Sequence, residues 1–324
     1  EVSIVGFGGI PIQGISAARA ERVLMRALDR GVTFFDSARA YTDSEEKIGR
    51  ALSPHRDGIY LASKALSRTA PAMRGELESS LRNLRTDYID LYQVHSVGSL
   101  KQLEKILAPG GAYEALTKAK DEGIIRWIGI TGHSRPVLYK AIHTGLFDTV
   151  QFPFNPIEDE WEGDVLPAAK EAGMGTIGMK PVAGGAIRSV GASIRFTLSR
   201  GIDVSIPGMD SLEQVDENTA VGESLSPPTD EELAALREEK ELWGEKFCRR
   251  CAYCMPCPEG LNIPFLLLIE AYYTRYDLRD WALERLGALG KTFGDCTACG
   301  ECIEKCPYHL PIPEMMSEAA KRVT

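Results

Sequence analysis

The sequence predicts an α/β chain in which a (β/α)₈ barrel is followed by a smaller all-helical domain. Two observations carry this prediction. Over residues 1–225, short β-rich runs alternate with longer helical patterns, and eight strand–helix units can be counted. All eight cysteines then lie after residue 247. We therefore expect the barrel at 1–225, a linker and helix at 226–246, and a separate cysteine-rich domain at 247–324.

The strands and helices are assigned from apolar periodicity and from the turn residues that bound each run. Strands are expected at 4–7, 32–36, 59–62, 88–94, 127–131, 149–154, 175–179 and 204–206. Helices are expected at 16–30, 44–52, 74–84, 113–122, 165–172, 192–200, 211–221, 229–246 and 265–286. An open doubly wound sheet is the alternative architecture. It is disfavoured because the sequence has no strand–GxGxxG–helix fingerprint.

Length and composition limit the classes of function. A chain of 324 residues can hold a barrel of ~250 residues and a small further module. The formal net charge of −9 argues against nucleic acid or an anionic membrane as the main partner. No apolar run approaches the ~20 residues of a membrane span, and no signal peptide is visible. We expect a cytoplasmic protein.

The cysteines form two runs that are typical of iron–sulfur binding. The first run is Cys248, Cys251, Cys254 and Cys257, and the second is Cys296, Cys299, Cys302 and Cys306. The second run has the spacing C-x₂-C-x₂-C-x₃-C-P, in which three thiolates bind one cluster and the fourth reaches the other. By that rule Cys306 joins the first three cysteines and Cys257 joins the second three. Zinc and disulfides are the alternatives, but four-cysteine runs ending in Cys-Pro favour iron–sulfur clusters.

The cysteine-rich region is also an internal repeat, because residues 257–264 are echoed by residues 306–313. On these motifs, residues 247–324 resemble the α-helical ferredoxin family. The resemblance implies two [4Fe–4S] clusters and one-electron transfer. A partner protein could exchange electrons with the clusters.

Four ionisable residues are placed at or just after the ends of consecutive predicted strands. They are Asp36, Tyr41, Lys64 and His95. The carboxyl ends of barrel strands line the active-site mouth, so the four side chains can converge there. A carbonyl that accepts hydride needs a proton donor, and Tyr41 can serve if Lys64 lowers its pKa from ~10. Each residue alone has a structural explanation, but the four together favour catalysis.

These residues lie in segments that resemble the aldo-keto reductase family over nearly all of residues 1–222. The matching segments are 31–38 with Tyr41, 44–45, 63–64, 87–95, 129–132, Gln151 with Asn155, 206–208 and 217–218. The resemblance implies a (β/α)₈ TIM barrel, a catalytic tetrad of Asp36, Tyr41, Lys64 and His95, and a nicotinamide cofactor over the barrel mouth. The opening residues 1–3 look like the middle of a motif, as if the family's N-terminal hairpin were partly missing.

The resemblance has three departures around the cofactor. Met179 stands where many members stack a tyrosine on the nicotinamide, and Gly132 stands where they place an asparagine. Gly208 and Gln214 replace the Lys and Arg that hold the 2′-phosphate of NADP, which favours NAD over NADP. The candidate cofactor-binding residues are Gln151, Asn155, Met179, Lys180, Gly208, Glu217 and Asn218.

The function expected from these features is an oxidoreductase. It would reduce a small-molecule carbonyl, or oxidise an alcohol, by hydride transfer with NAD or NADP, and would carry two iron–sulfur clusters in its C-terminal domain. The alternative is an electron-transfer protein whose ferredoxin-like domain serves a partner, while the barrel binds a different acceptor such as flavin. A third possibility is a binding scaffold with an idle tetrad.

Overall fold

The computed structural model describes residues 1–244 and 246–323. Within these residues, eight parallel strands form one sheet in chain order, as predicted for the barrel. The strands are β1 Phe7–Gly8, β2 Phe34–Asp36, β3 Tyr60–Ala65, β4 Ile89–Val94, β5 Ile125–Thr131, β6 Thr149–Pro153, β7 Gly175–Met179 and β8 Val204–Ile206.

The sheet closes on itself between its first and last strands. Parallel bridges join Val5 to Ser205 and Gly8 to Gly208. The backbone N–H of Gly8 donates to the carbonyl of Pro207 at 2.8 Å. These contacts complete a barrel, so the carboxyl ends of all eight strands meet at one mouth.

Nine helices surround the barrel within the described residues. They are α1 Ala17–Asp29, α2 Ser44–Leu52, α3 Ala70–Leu84, α4 Leu100–Leu107, α5 Ala112–Asp121, α6 Arg135–Ile142, α7 Val165–Glu171, α8 Val190–Ser199 and α9 Leu212–Glu223. Sequence patterns did not predict α4 and α6. The first helix begins after Ser16, whose side chain accepts a hydrogen bond from the N–H of Arg19. One face of this helix is buried in the core, namely Ala20, Val23, Leu24 and Ala27.

The C-terminal part of the chain is helical, as predicted. Its elements are α10 Asp230–Gly244, α11 Ile263–Thr274, α12 Arg279–Ala288, α13 Glu301–Lys305 and α14 Ile312–Arg322. The helical patterns expected at 265–286 correspond to two helices, α11 and α12, and Asp277 in the turn between them has a positive φ of 52°. Glu245 and Thr324 belong to the predicted linker helix and C-terminal domain, and both lie outside the described residues.

The barrel and the helical domain have separate apolar cores that interlock. Phe247, at the start of the cysteine-rich region, is buried in the barrel core. Ile10, which follows the first strand, packs against the core of the helical domain. Polar contacts reinforce this interface: the Tyr308 hydroxyl donates to Glu160 at 2.5 Å, and Arg249 donates to the carbonyl of Ile157 at 3.1 Å.

Across residues 1–244 and 246–323, no helix is both long enough and apolar enough to traverse a lipid bilayer.

Candidate active site and cysteine groups

A buried ion pair lies at the mouth of the barrel. Lys64 Nζ, near the end of β3, donates to Asp36 Oδ2 at 2.5 Å and to the carbonyl of Ser37 at 2.7 Å. Asp36 ends β2 and pairs in register with Ala62, so the two side chains come from neighbouring strands. Burial raises the pKa of Asp36 and lowers the pKa of Lys64, while their mutual attraction opposes both shifts.

Tyr41 and His95 stand next to this pair. The Lys64 ammonium lies 5.0 Å from the centroid of the Tyr41 ring. The Tyr41 and His95 rings meet edge to face, with centroids 5.8 Å apart and an interplanar angle of 87°. The structure therefore brings together the four residues that the strand ends suggested.

The acidity of Tyr41 differs from the expectation that Lys64 lowers its pKa. Burial raises the pKa of Tyr41 well above its usual value, and the Asp36 carboxylate adds to the increase. Lys64 is hydrogen-bonded to Asp36, and the loss of the water that would stabilise a Tyr41 phenolate outweighs the attraction that Lys64 offers it. Tyr41 is thus held in its protonated form.

His95 is held in its neutral form. Burial lowers its pKa well below the usual value, and the nearby cations Lys64, Arg68 and Lys180 lower it further. Its Nδ1 atom is buried and has no hydrogen-bond partner among the described residues. A neutral imidazole can still donate one hydrogen bond and accept another.

A cleft of about 290 Å³ opens from the tetrad across the barrel mouth. Its lining includes Asp36 and Tyr41 and six of the seven predicted cofactor residues, namely Gln151, Met179, Lys180, Gly208, Glu217 and Asn218. Asn155 is not part of this lining. Its side chain instead donates to Glu158 and to the carbonyl of Lys180, both at 3.0 Å, so it shapes the loop after β6.

Groups in the lining of the cleft suit parts of a nicotinamide dinucleotide. The Oδ1 atom of Asn218 is buried and has no partner among the described residues, so it can accept from an amino group such as that of adenine. Gln151 and Met179, which also line the cleft, lie together, with Nε2 of Gln151 3.8 Å from the sulfur of Met179. An amide beside an apolar thioether suits a flat carboxamide ring.

Sequence reasoning missed part of the cleft. The turn between α11 and α12 contributes Arg275, Tyr276 and Asp277 to its lining. These residues belong to the helical domain and are at least 180 positions from every member of the tetrad in the sequence. No local motif marks them; the signal that could have helped is the interruption of the 265–286 helix.

All eight cysteines are free thiols. They form two groups of four, and within each group neighbouring thiols raise the pKa of a central one, Cys254 or Cys302. The first group is Cys248, Cys251, Cys254 and Cys306. The second group is Cys257, Cys296, Cys299 and Cys302. The described residues contain no group of three or more His, Cys, Asp or Glu side chains that could hold a single metal ion. Two sets of four thiols, each partly set in the apolar core, fit the donor requirement of two [4Fe–4S] clusters.

Comparison with known protein families agrees with both parts of the chain. The model of the aldo/keto reductase family matches residues 4–192. This chain belongs to the aldo/keto reductase family. The model of a 4Fe-4S dicluster domain matches residues 247–311, so the family's barrel is here joined to an iron–sulfur domain.

Individual members of the family are related at modest identity. The aldo-keto reductase YhdN of Bacillus subtilis is 35% identical over 178 residues, which are 51% of this chain and 52% of YhdN. The chain therefore spans about half the length of that relative. L-galactose dehydrogenase of Arabidopsis thaliana is 28% identical over 273 residues, covering 68% of this chain and 84% of the plant protein.

Among solved structures, an aldo-keto reductase from Klebsiella pneumoniae in complex with NADPH superposes with a TM-score of 0.62. It is 26% identical, and the match covers 73% of this chain and 90% of that one. The similarity extends over the barrel and supports the TIM-barrel assignment.

The ionisation of His95 can be checked directly. Because burial and three nearby cations lower its pKa, we expect its ring nitrogen signals to stay constant from pH 8 to about pH 6, below the usual His pKa of about 6.5. The measurement is a long-range ¹H–¹⁵N spectrum of oxidised protein, with His95→Gln used to assign the signals. A titration centred near pH 6.5 would show that the imidazole is solvated.

Proposed function

We propose that this chain reduces small-molecule carbonyl compounds, and oxidises the corresponding alcohols, with a nicotinamide cofactor bound in the cleft. The observation that carries the proposal is the convergence of Lys64, Asp36, Tyr41 and His95 at the barrel mouth, beside a cleft that fits a dinucleotide. The NADPH in the Klebsiella pneumoniae relative supports the cofactor class.

The reduction adds a hydride to the carbonyl carbon and a proton to its oxygen, and the cofactor supplies the hydride. Tyr41 supplies the proton from its hydroxyl. Its high pKa keeps that hydroxyl protonated until charge develops on the substrate oxygen, and an alkoxide is a stronger base than a phenolate even in a buried site. The resulting phenolate lies near the Lys64 ammonium, which stabilises it until a proton returns from solvent.

His95 positions the carbonyl. Because its pKa is lowered, the imidazole remains neutral and does not compete with Tyr41 as an acid. Its ring is held edge to face against Tyr41, so an N–H of the imidazole and the Tyr41 hydroxyl can donate to the same substrate oxygen. Two donors at one oxygen stabilise the negative charge that develops during hydride transfer.

Tyr41→Phe tests this assignment. The variant removes the proton donor and keeps the ring, so we expect kcat for NADH- or NADPH-dependent aldehyde reduction to fall by about 10²–10⁴-fold. The Kd of the cofactor, measured by fluorescence titration, should change by less than about twofold, because the substitution removes only a hydroxyl that acts in the transition state.

The exposed Tyr139 on α6 provides the matched control, since Tyr139→Phe removes a hydroxyl remote from the cleft. Retention of full activity in Tyr41→Phe would refute the tetrad mechanism.

We further propose that NAD is preferred over NADP. At the end of the cleft that includes Gly208, the lining contains the Asp210 carboxylate and the Gln214 amide, whose Oε1 accepts from the N–H of Asp210 at 2.8 Å. A carboxylate repels a 2′-phosphate and can accept from a ribose hydroxyl.

The expected result is a lower Kd for NADH than for NADPH in anaerobic titrations. Asp210→Asn should improve NADPH binding relative to NADH by about tenfold, the effect of removing roughly 1.4 kcal/mol of repulsion. Equal affinities in the wild type, with no change on substitution, would contradict this preference.

We also propose that the domain at 247–324 binds two [4Fe–4S] clusters, one in each group of thiols, after a barrel at 1–225 and a linker and helix at 226–246. Such clusters exchange single electrons. Cys299 of the second group is exposed, so we propose that this cluster exchanges electrons with a partner protein. A reducing cytoplasm, which keeps thiols free, is the location that suits this chemistry.

Cysteine substitutions can test the exchanged fourth ligands. If each cluster takes its last ligand from the other run, Cys306→Ala and Cys254→Ala should weaken the same EPR signal of the reduced protein. Cys257→Ala and Cys302→Ala should weaken the other signal. Cys257→Ala and Cys306→Ala, which alter the two Cys-Pro positions, serve as controls for each other because each should spare the signal that the other weakens. Loss of the same cluster in Cys306→Ala and Cys302→Ala would show that each run binds its own cluster.

A further inference from the structure

The reaction site receives one side chain from outside the barrel. Tyr276 lies in the turn between α11 and α12 and lines the same cleft as Tyr41 and Met179. Two observations place it over that cleft: a contact with the loop after β7, and the lining that it shares with Tyr41.

The contact is with Gly184, in the loop that follows β7. A Cβ atom on Gly184 would lie 2.5 Å from the Tyr276 hydroxyl, and Gly184 also has a positive φ of 65°. A larger residue at this position would both crowd the tyrosine and strain the backbone, so glycine allows the loop to approach Tyr276 closely. The hydroxyl of Tyr276 thus caps the side of the cleft formed by the loop.

Tyr276 also shares the cleft with Tyr41. Both side chains line this space of about 290 Å³. In keeping with that arrangement, Tyr276 and its neighbour Tyr272 add to the increase in the pKa of Tyr41, after burial and Asp36. A substrate whose oxygen is at Tyr41 has to share this small space with the ring of Tyr276.

The turn is held firmly enough to act as a wall. Tyr276 stacks on Tyr272, with ring centroids 5.1 Å apart, and Tyr272 packs on Trp281 at 4.2 Å. Leu278 is buried where the turn meets Gly14 of the barrel. A Cβ atom added to Gly14 would lie 2.8 Å from the Cδ2 atom of Leu278. A side chain locked by its neighbours can discriminate between ligands by shape.

We propose that Tyr276 is a specificity-determining residue of the reductase reaction: it contacts the carbonyl substrate and limits the bulk of the group that the site accepts. This inference rests on the function proposed above. It assigns to the iron–sulfur domain a part in substrate recognition that is independent of electron transfer.

Tyr273, three residues earlier near the end of α11, gives a matched control. It is not in the lining of the cleft, and its ring lies under the Arg279 guanidinium at 5.4 Å. Tyr273→Ala removes the same atoms from the same domain. Tyr276→Phe retains the ring and separates the effect of bulk from the effect of the hydroxyl.

The experiment measures kcat/KM for methylglyoxal, a small probe, and for 4-nitrobenzaldehyde, a bulky one, in cluster-loaded protein with saturating NADH or NADPH. Removing the ring opens space for the bulky probe. In Tyr276→Ala, the ratio of kcat/KM for the bulky probe to that for the small probe should therefore rise by about tenfold or more. In Tyr276→Phe and Tyr273→Ala the ratio should stay within about twofold of the wild type. Iron–sulfur absorbance, measured on every variant, confirms that the domain is intact.

Two outcomes overturn the proposal, and they are distinguishable. If the wild type reduces neither probe with either nucleotide, the proposed function fails and the role of Tyr276 fails with it. If the wild type is active and Tyr276→Ala keeps the wild-type ratio, the reductase function stands and Tyr276 is only a packing residue.

Discussion

The arrangement of side chains at the barrel mouth depends on one interaction, the buried pair of Lys64 and Asp36. Two charges removed from water must stay in contact, because separating them would leave each without a partner at a cost of several kcal/mol. This requirement fixes the ends of β2 and β3 relative to each other. It also sets the ammonium beside the ring of Tyr41. The network continues across the barrel, since Gln93 donates to Gln151 at 2.7 Å and lies 3.5 Å from Asp36.

The helical domain changes the environment in which this pair operates. Barrel enzymes carry their sites on an open face formed by loops, but here a turn of a second domain covers part of that face. Burial raises the pKa of Tyr41, and Tyr272 and Tyr276 of the helical domain add to the increase. If the barrel mouth carries the proposed reaction, its interactions with a developing oxyanion gain strength where less solvent competes for that charge. The helical domain would then shape the environment of the reaction even where no electron passes between the two parts.

Much of this organisation can be predicted from the sequence, because it depends on local patterns. Strands such as 175–179 and 204–206 were placed at their observed bounds, since short β-rich runs between turns are distinctive. The tetrad could be found because barrel topology brings successive strand ends together. The helices α4 and α6 were missed. In α4 only Leu103 and Ile106 are buried, which leaves too few apolar positions to show a helical period. Contacts such as Tyr276 with Gly184 depend on how two domains dock, which no spacing in the sequence records.

The interlocking of the two cores has a consequence for how such a protein can evolve. Phe247 completes the barrel core, and Ile10 completes the core of the helical domain. Removing either part would therefore expose apolar surface on the other, and the boundary between them is not a clean seam. A lineage that lost its iron supply could not discard the cysteine-rich half without also covering the apolar surface left on the half that remained.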